Sequence, residues 1–242
     1  MSLFFTGTDT GVGKTFVTVQ LLRLLREAGI RAVGMKPICC GDRDDARRLL
    51  AAGAEGVTID ELNPIWLQSP VAPSVAAQIE RIDIDIEKIY HCFTILSQRF
   101  EIVLVEGVGG WLVPIAPDFF MSDLVKRLDL PVAIVTENRL GCLNHVLLTF
   151  ESVRTRGFSC AAIILNRANS AGDLAQTTNE GELRRLLPDT ILLPVAENGV
   201  PEPAEWAQLF FAEFASSRCV QKIDTTVIDC DTFSTPSKAV PS

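Results

Sequence analysis

Long hydrophobic runs are absent from this 242-residue chain. No apolar stretch reaches the roughly 18–20 residues that a membrane helix needs. No basic segment leading into an apolar one opens the sequence, so neither a membrane anchor nor a secretory leader is expected. Basic excess is absent as well: 22 Lys and Arg against 30 Asp and Glu leave a net charge of −8. Nucleic-acid binders neutralise phosphates with a basic face, so no such partner is expected; a small anionic ligand held by local donors remains compatible. Histidine is scarce: His91 and His145 are too few for a histidine-based zinc centre and read as structural or surface residues. The seven cysteines stand at 39, 40, 92, 142, 160, 219 and 230, an odd number with no C-x-x-C spacing. That usage fits thiols kept reduced in the cytoplasm. No internal repeat is present.

What is present is a series of short apolar runs: SLFFTG (2–7), RAVGMKPI (31–38), EIVLVEG (101–107), PVAIVTEN (131–138), AAIILNR (161–167) and DTILLPV (189–195). Most are apolar at nearly every position rather than alternating, which suits strands buried on both faces of a parallel sheet. Helical-period stretches lie between them: 14–29, 85–100, 142–157 and a shorter one at 180–187. Two of these end at a glycine, Gly29 and Gly157, placed as a C-terminal stop. Strand–helix alternation predicts one α/β domain over residues 1–217, its mostly parallel sheet flanked by helices on both faces. A last helix is expected over 203–217. Residues 218–242, rich in Thr and Ser and ending in prolines, read as a loosely ordered tail.

Five stretches carry chemistry. The first is TGTDTGVGKT, between the first strand and the first helix, in the context a phosphate loop requires. Backbone N–H groups at a helix N-terminus bind phosphate oxygens. Lys14 would reach the β- and γ-phosphates, and the Thr15 hydroxyl a Mg²⁺ ion. The strict motif G-x-x-x-x-G-K-[ST] is not met, since Thr8 holds its first position and the nearest glycine is Gly7. The second is VLVEGVGG. Glu106, at the carboxyl end of a strand, sits at the ligand edge of a parallel sheet and can hold Mg²⁺ opposite Thr15. Gly107, Gly109 and Gly110 allow close backbone approach.

The third stretch, GMKPICCGDRDDARRLL, puts Lys36 at a strand end, where it adds positive charge for phosphoryl transfer. Asp42, Asp44 and Asp45 open a helical segment as caps, with one of them available to complete a Mg²⁺ site. Cys39 and Cys40, being adjacent, chelate poorly and read as small polar wall residues. In the fourth, TENRLGCLNH, Gly141 precedes a helix whose first turn carries Asn144, equally a simple helix start or an anion site for a carboxylate. In the fifth, AAIILN, the Asn166 amide offers the donor and acceptor that match adenine N6 and N7, or else closes a turn.

TGTDTGVGKT, GMKPI, VEGVGGW, LGCLNH and ILN, in this order and spacing over about residues 3–198, resemble the dethiobiotin synthetases, of P-loop NTPase type. GTDT-x-VGKT resembles that family's variant loop, which accounts for Thr8. The resemblance implies a cytoplasmic ATP-dependent ligase of biotin synthesis. It would take 7,8-diaminopelargonic acid, CO₂ and ATP, and give dethiobiotin, ADP and phosphate. It further implies that Gly11, Val12, Gly13, Lys14, Thr15 and Phe16 hold the phosphates, with Gly107, Val108 and Gly109 beside them. Thr15, Asp45 and Glu106 would hold Mg²⁺; Asp45 is preferred over Asp44 on the D-A match. Lys36 would be the active-site lysine, assisted by Lys14. Asn166 and Arg167, with Pro194, Val195 and Ala196, would surround adenine. Cys40 stands where a substrate-contacting Ser is usual. Gly141, Cys142, Leu143 and Asn144 would meet the substrate carboxylate across a homodimer interface. Gly11 departs from members with Glu there, a common variation.

Two rival readings share the loop. One is a ParA/MinD-like ATPase switch, whose loop KGG-x-GKT carries a lysine where this chain has Asp9; the acidic charge also disfavours the DNA or membrane surfaces such switches use. The other is a related P-loop cofactor-synthesis ligase, disfavoured by VEGVGGW with LGCLNH.

Overall fold

The computed structural model describes residues 2–166, 174–195 and Trp206. The expectations for Arg167, Ala196, the 203–217 helix as a whole and the 218–242 tail fall outside the described residues. In chain order the first elements are β1 (Ser2–Gly7), α1 (Lys14–Glu27), β2 (Ala32–Met35), β3 (Ile38–Cys40) and α2 (Asp44–Ala52). They continue as α3 (Ile59–Leu62), β4 (Ile65–Leu67), α4 (Pro73–Glu80), α5 (Ile86–Arg99) and β5 (Ile102–Gly110). The rest are β6 (Pro114–Ala116), β7 (Phe119–Phe120), α6 (Met121–Leu128), β8 (Val132–Glu137), α7 (Cys142–Thr155), β9 (Cys160–Asn166), α8 (Leu174–Leu186) and β10 (Leu192–Val195).

Among the described residues six strands form the main sheet in the order β10-β9-β8-β1-β5-β2, and every pairing between them is parallel. The continuous apolar runs now have a cause. Along β1, Phe4 faces one core with Val33, Val103, Val132 and Ile163. Its neighbours Leu3 and Phe5 face the other with Ala32, Leu104, Ala133 and Ile164. The first core is covered by Ile89, Phe93 and Leu96 of α5, Leu124 and Val125 of α6, and Val146 and Phe150 of α7. The second is covered by Val17, Leu21, Leu22 and Leu25 of α1, Leu49 of α2 and Trp206. Helices therefore cover both faces, as a sheet buried on both sides requires. Among the described residues no helix is long and apolar enough to cross a membrane.

Several boundaries differ from the sequence reading. The 31–38 run divides at Lys36-Pro37. Pro37 has no N–H to give the main sheet, and the chain turns out to pair β3 with β4, Cys39 opposite Trp66. β5 runs on past Glu106 to Gly110. The helix read at 180–187 begins at Leu174. Two short helices that sequence period did not reveal carry local start signals: a Thr58–Glu61 capping box on α3 and Pro73 in the first turn of α4.

β1 lies between β5 and β8. The chain reaches β2 and β5 on one side and β8, β9 and β10 on the other. In parallel sheets, ligands collect in the crevice outside the carboxyl ends of strands at such a reversal, and residues 8–13 occupy that place.

Candidate active site

The loop after β1 is held by its glycines and by two threonines. Gly11 and Gly13 have φ of 79° and 92°, the left-handed region where a side chain costs most. Gly13 caps α1, and a Cβ there would run into the Asn166 amide. Gly7, one residue before the strict motif begins, is needed for a different reason. A Cβ at Gly7 would stand 2.6 Å from the Asp9 carbonyl oxygen and 2.7 Å from Lys14 Nζ. Thr8 takes the motif's first position without a positive φ. Its N–H donates to the Val135 carbonyl at 3.0 Å and its hydroxyl lies 3.0 Å from that of Thr136, tying the loop to β8.

Lys14 is buried and donates to the Asp9 carbonyl at 3.0 Å. Burial first, then the Lys36 charge, lower its pKa to about 8. Anionic phosphates beside it would restore the charged form.

Four groups converge beyond the loop. Thr15 Oγ1 lies 2.8 Å from Asp45 Oδ1 and 2.7 Å from Glu106 Oε1. Lys36 Nζ donates to Asp45 Oδ2 at 2.8 Å, to Glu106 Oε1 at 2.6 Å and to the Gly107 carbonyl at 3.3 Å. Burial works to lower the Lys36 pKa, but the Glu106 and Asp45 carboxylates outweigh it and hold the amine above the ordinary lysine range. The same charges act in reverse on Asp45: burial raises its pKa, Lys36 outweighs burial, and the carboxyl stays below its usual range. Lys36 is therefore a permanent cation here, suited to stabilising charge rather than to abstracting protons. Asp44 goes elsewhere, ion-paired with Arg47 at 2.6 Å on the exposed side of α2. Asp42 accepts the Asp44 N–H at 2.9 Å ahead of the helix.

The oxygen set fits a hard divalent cation. A threonine hydroxyl has one proton, yet two carboxylate oxygens lie within its hydrogen-bonding distance. Glu106 Oε2 is buried with no hydrogen-bond partner among the described residues. Among those residues no group of three or more His, Cys, Asp or Glu side chains could hold a metal by itself, so an ion here would complete its shell from phosphate and water.

These residues line a cavity of about 450 Å³ with Thr10, Gly11, Gly13, Phe16, Cys39, Cys40, Asp42, Arg48, Val108 and Gly109. Val12 is buried beneath the loop, and a Cβ on Gly107 would press on the Phe4 ring at 2.9 Å. At the other side, Asn166 ends β9 opposite Val195 of β10, next to the Pro194–Leu165 pair. Its Nδ2 donates to the Val12 carbonyl at 3.0 Å. Gly141, Cys142, Leu143 and Asn144 do not line this cavity. They open α7, with Cys142 buried and Asn144 exposed. A buried set fixes this turn: Asn179 Nδ2 donates to Asn138 Oδ1 at 2.9 Å and to the Arg139 carbonyl at 3.2 Å.

Sequence reasoning missed Asn63 and Arg48. Asn63 is buried and donates to the Lys36 carbonyl at 2.8 Å and to that of Ile65 at 2.9 Å. Arg43 Nε donates to its Oδ1 at 2.8 Å, so Lys36 is anchored at both backbone and side chain. The signal available was a polar residue before Pro64 in an otherwise apolar stretch. For Arg48 it was its place three residues after Asp45.

A family model described as an AAA domain matches residues 1–198. The ATP-dependent dethiobiotin synthetase of Akkermansia muciniphila is 47% identical over 174 residues, covering 72% of this chain and 82% of that protein. The corresponding synthetase of Aromatoleum aromaticum is 40% identical over 212 residues, covering 84% and 94%. Among solved structures, the septum site-determining protein MinD with Mg-ADP from Pyrococcus horikoshii matches with a TM-score of 0.52 and 16% identity, over 96% of this chain and 97% of that one. Hydrogenase maturation factor HypB from Archaeoglobus fulgidus matches at 0.50 and 16% over 88% of each. At that identity the two structures share the fold alone with this chain.

Proposed function

The chain belongs to the ATP-dependent dethiobiotin synthetase family, and we propose that the cavity above the β1–α1 loop is where it activates and closes its substrate. It is an ATP-using ligase of biotin biosynthesis. The observation that carries the site assignment is the meeting of Thr15, Asp45, Glu106 and Lys36 at the edge of a cavity bordered by the phosphate loop.

The substrates are 7,8-diaminopelargonic acid, CO₂ and ATP. One amine of the diamine adds to CO₂ and loses a proton, giving a carbamate. A carbamate oxygen attacks the γ-phosphorus and ADP leaves, giving a carbamic-phosphoric anhydride. The second amine attacks the carbonyl carbon, loses its proton, and expels phosphate as the ureido ring closes. Carbamate oxygen is a poor leaving group, and phosphorylation makes it a good one. Residues 11–16 hold the polyphosphate through backbone N–H groups at the start of α1. Lys14 reaches the β- and γ-phosphates. The Lys36 ammonium holds the carbamate oxygen against the transferring phosphoryl group, where positioning and charge stabilisation do most of the catalysis. Thr15, Asp45 and Glu106 would hold Mg²⁺, which would neutralise phosphate charge there. Asn166, with Pro194 and Val195, receives the adenine end. Cys40 borders the diamine, a thiol in place of the usual hydroxyl.

The active form is a cytoplasmic homodimer in which Gly141 to Asn144 bind the substrate carboxylate of the partner subunit. Two observations support this: the α7 start lies away from its own cavity, and the nearby Leu140 and Leu148 are exposed. The test is ATP turnover with and without diaminopelargonate and bicarbonate, with dethiobiotin measured by mass spectrometry. Hydrolysis indifferent to the diamine, or absence of dethiobiotin, overturns the reading.

A further inference from the structure

Among the described residues three cations line the cavity: Lys14, Lys36 and Arg48. The first two are engaged, Lys14 with the Asp9 carbonyl and Lys36 with Asp45 and Glu106. Arg48 differs. Among the described residues no carboxylate lies within ion-pair distance of it, whereas its neighbour Arg47 is paired with Asp44 and does not line the cavity. Arg48 follows Asp45 by three residues on α2, so both stand on one helix face. Arg48 also lines a second cavity of about 360 Å³ between α1 and α2, shared with Thr15 and Phe16. Arg48 thus stands between the cavity at the loop and the groove beside it.

We propose that Arg48 contacts the γ-phosphate of bound ATP, as a third cation of the phosphoryl-transfer site. Which phosphate it meets follows from the sheet. Asn166 and Val195, the adenine end of the proposed site, lie on β9 and β10 at one edge. α2 packs against α1 and β2 at the opposite edge. A nucleotide laid across the loop with its base at Asn166 directs its terminal phosphate toward α2. The forked guanidinium, with its paired N–H donors, matches phosphate oxygens better than a point charge does. Phosphoryl transfer moves charge onto those same oxygens.

The inference rests on the synthetase reading of the cavity, and its test separates the two. Calorimetric titration with ADP and with a non-hydrolysable ATP analogue is compared in wild type, Arg48→Ala, Arg48→Lys and Arg47→Ala. Arg48→Ala is expected to lose on the order of tenfold in affinity for the analogue, the scale of a charged hydrogen bond, and nothing for ADP. Arg48→Lys recovers part of the loss, and Arg47→Ala matches wild type. Unchanged analogue affinity in Arg48→Ala overturns the proposal, and so does an equal loss for ADP and analogue. A wild-type protein that binds neither nucleotide overturns the synthetase reading along with it. Arg48 is on the surface of α2, so its replacement leaves the core intact.

Discussion

The Lys36 ammonium lies 2.6 Å from Glu106 Oε1, and both residues are closed off from solvent. Removing one member of such a pair strands the other charge, at a cost of about 3–5 kcal/mol. Lys36→Ala is therefore expected to melt at lower temperature than wild type and to lose ring closure while keeping most of its nucleotide affinity. Mg²⁺ alone should raise the melting temperature of the variant more than that of wild type, since two acids then lack their cation. Thermal melts with Mg²⁺ or EDTA, alongside dethiobiotin assays, check this. A fully active Lys36→Ala would show that the catalytic lysine is another.

Asp44 and Asp45 are adjacent but face different chemistry. Asp45 meets Thr15 and Lys36; Asp44 meets the exposed Arg47. Asp45→Asn is expected to weaken Mg²⁺-supported activity by at least the roughly 10–100-fold that loss of a metal ligand's hydrogen-bonding partner costs, since Asp45 is proposed to hold the ion itself. Asp44→Asn should stay near wild type in both activity and stability, because exposed ion pairs contribute little. Titrating turnover against Mg²⁺ distinguishes the two, and equal effects would undo the distinction.

Legibility in the sequence followed locality. The phosphate loop was readable because residues 7–15 are contiguous, and the strands because burial on both faces leaves unbroken apolar runs. Asp45 was separable from Asp44 only by resemblance; the physical reason, that it faces Thr15, needs the packing of α2 on α1. The division at Lys36-Pro37 depends on β4, whose pairing with β3 no local pattern announces. Asn63 acts on Lys36 from 27 residues away, and the Asn166 amide reaches Val12 across 154. A strand-end asparagine was visible as a candidate, but the direction of its donor was not. Arg48 lies in a charged helix turn, and no local pattern assigns the face of α2 it occupies.

The irregular loop yields a prediction about two neighbours. Gly7→Ala would bring a methyl group against the Asp9 carbonyl and Lys14 Nζ, so it should displace Lys14 and, on the proposed reading of the loop, sharply reduce nucleotide affinity. Thr8→Gly restores the strict motif but removes the hydroxyl bonded to Thr136. A hydrogen bond of this kind contributes about 0.5–1.5 kcal/mol. Thr8→Gly should therefore lower stability and leave nucleotide binding no tighter. Urea melts and nucleotide titrations of the two variants check this; tighter binding in Thr8→Gly would mean that the motif glycine is merely missing.

Cys40 lines the cavity, yet its thiol is no nucleophile in waiting. Burial first, then the neighbouring Cys39 and Glu80, push its pKa up to about 11 against the opposing charge of Lys36. The reactive species is the thiolate, present at about one part in a thousand at pH 8 for such a thiol. Raising the pH increases that fraction by about tenfold per unit until the pKa is reached. Iodoacetamide labelling of Cys40 should be slow at neutral pH, climb toward pH 11 with no plateau before it, and slow again when ATP and the diamine fill the cavity. Cys160, pushed up to about 12 by burial, should lag behind it and be indifferent to the ligands. Replacing Cys40 with Ser returns a stronger hydrogen-bonding group to the cavity wall, so Cys40→Ser is expected to lower KM for the diamine with kcat little changed. Site-resolved mass spectrometry across pH and steady-state kinetics measure these outcomes. Fast labelling of Cys40 at pH 7 would reveal an activated thiol and give this position a chemical role instead of a contact.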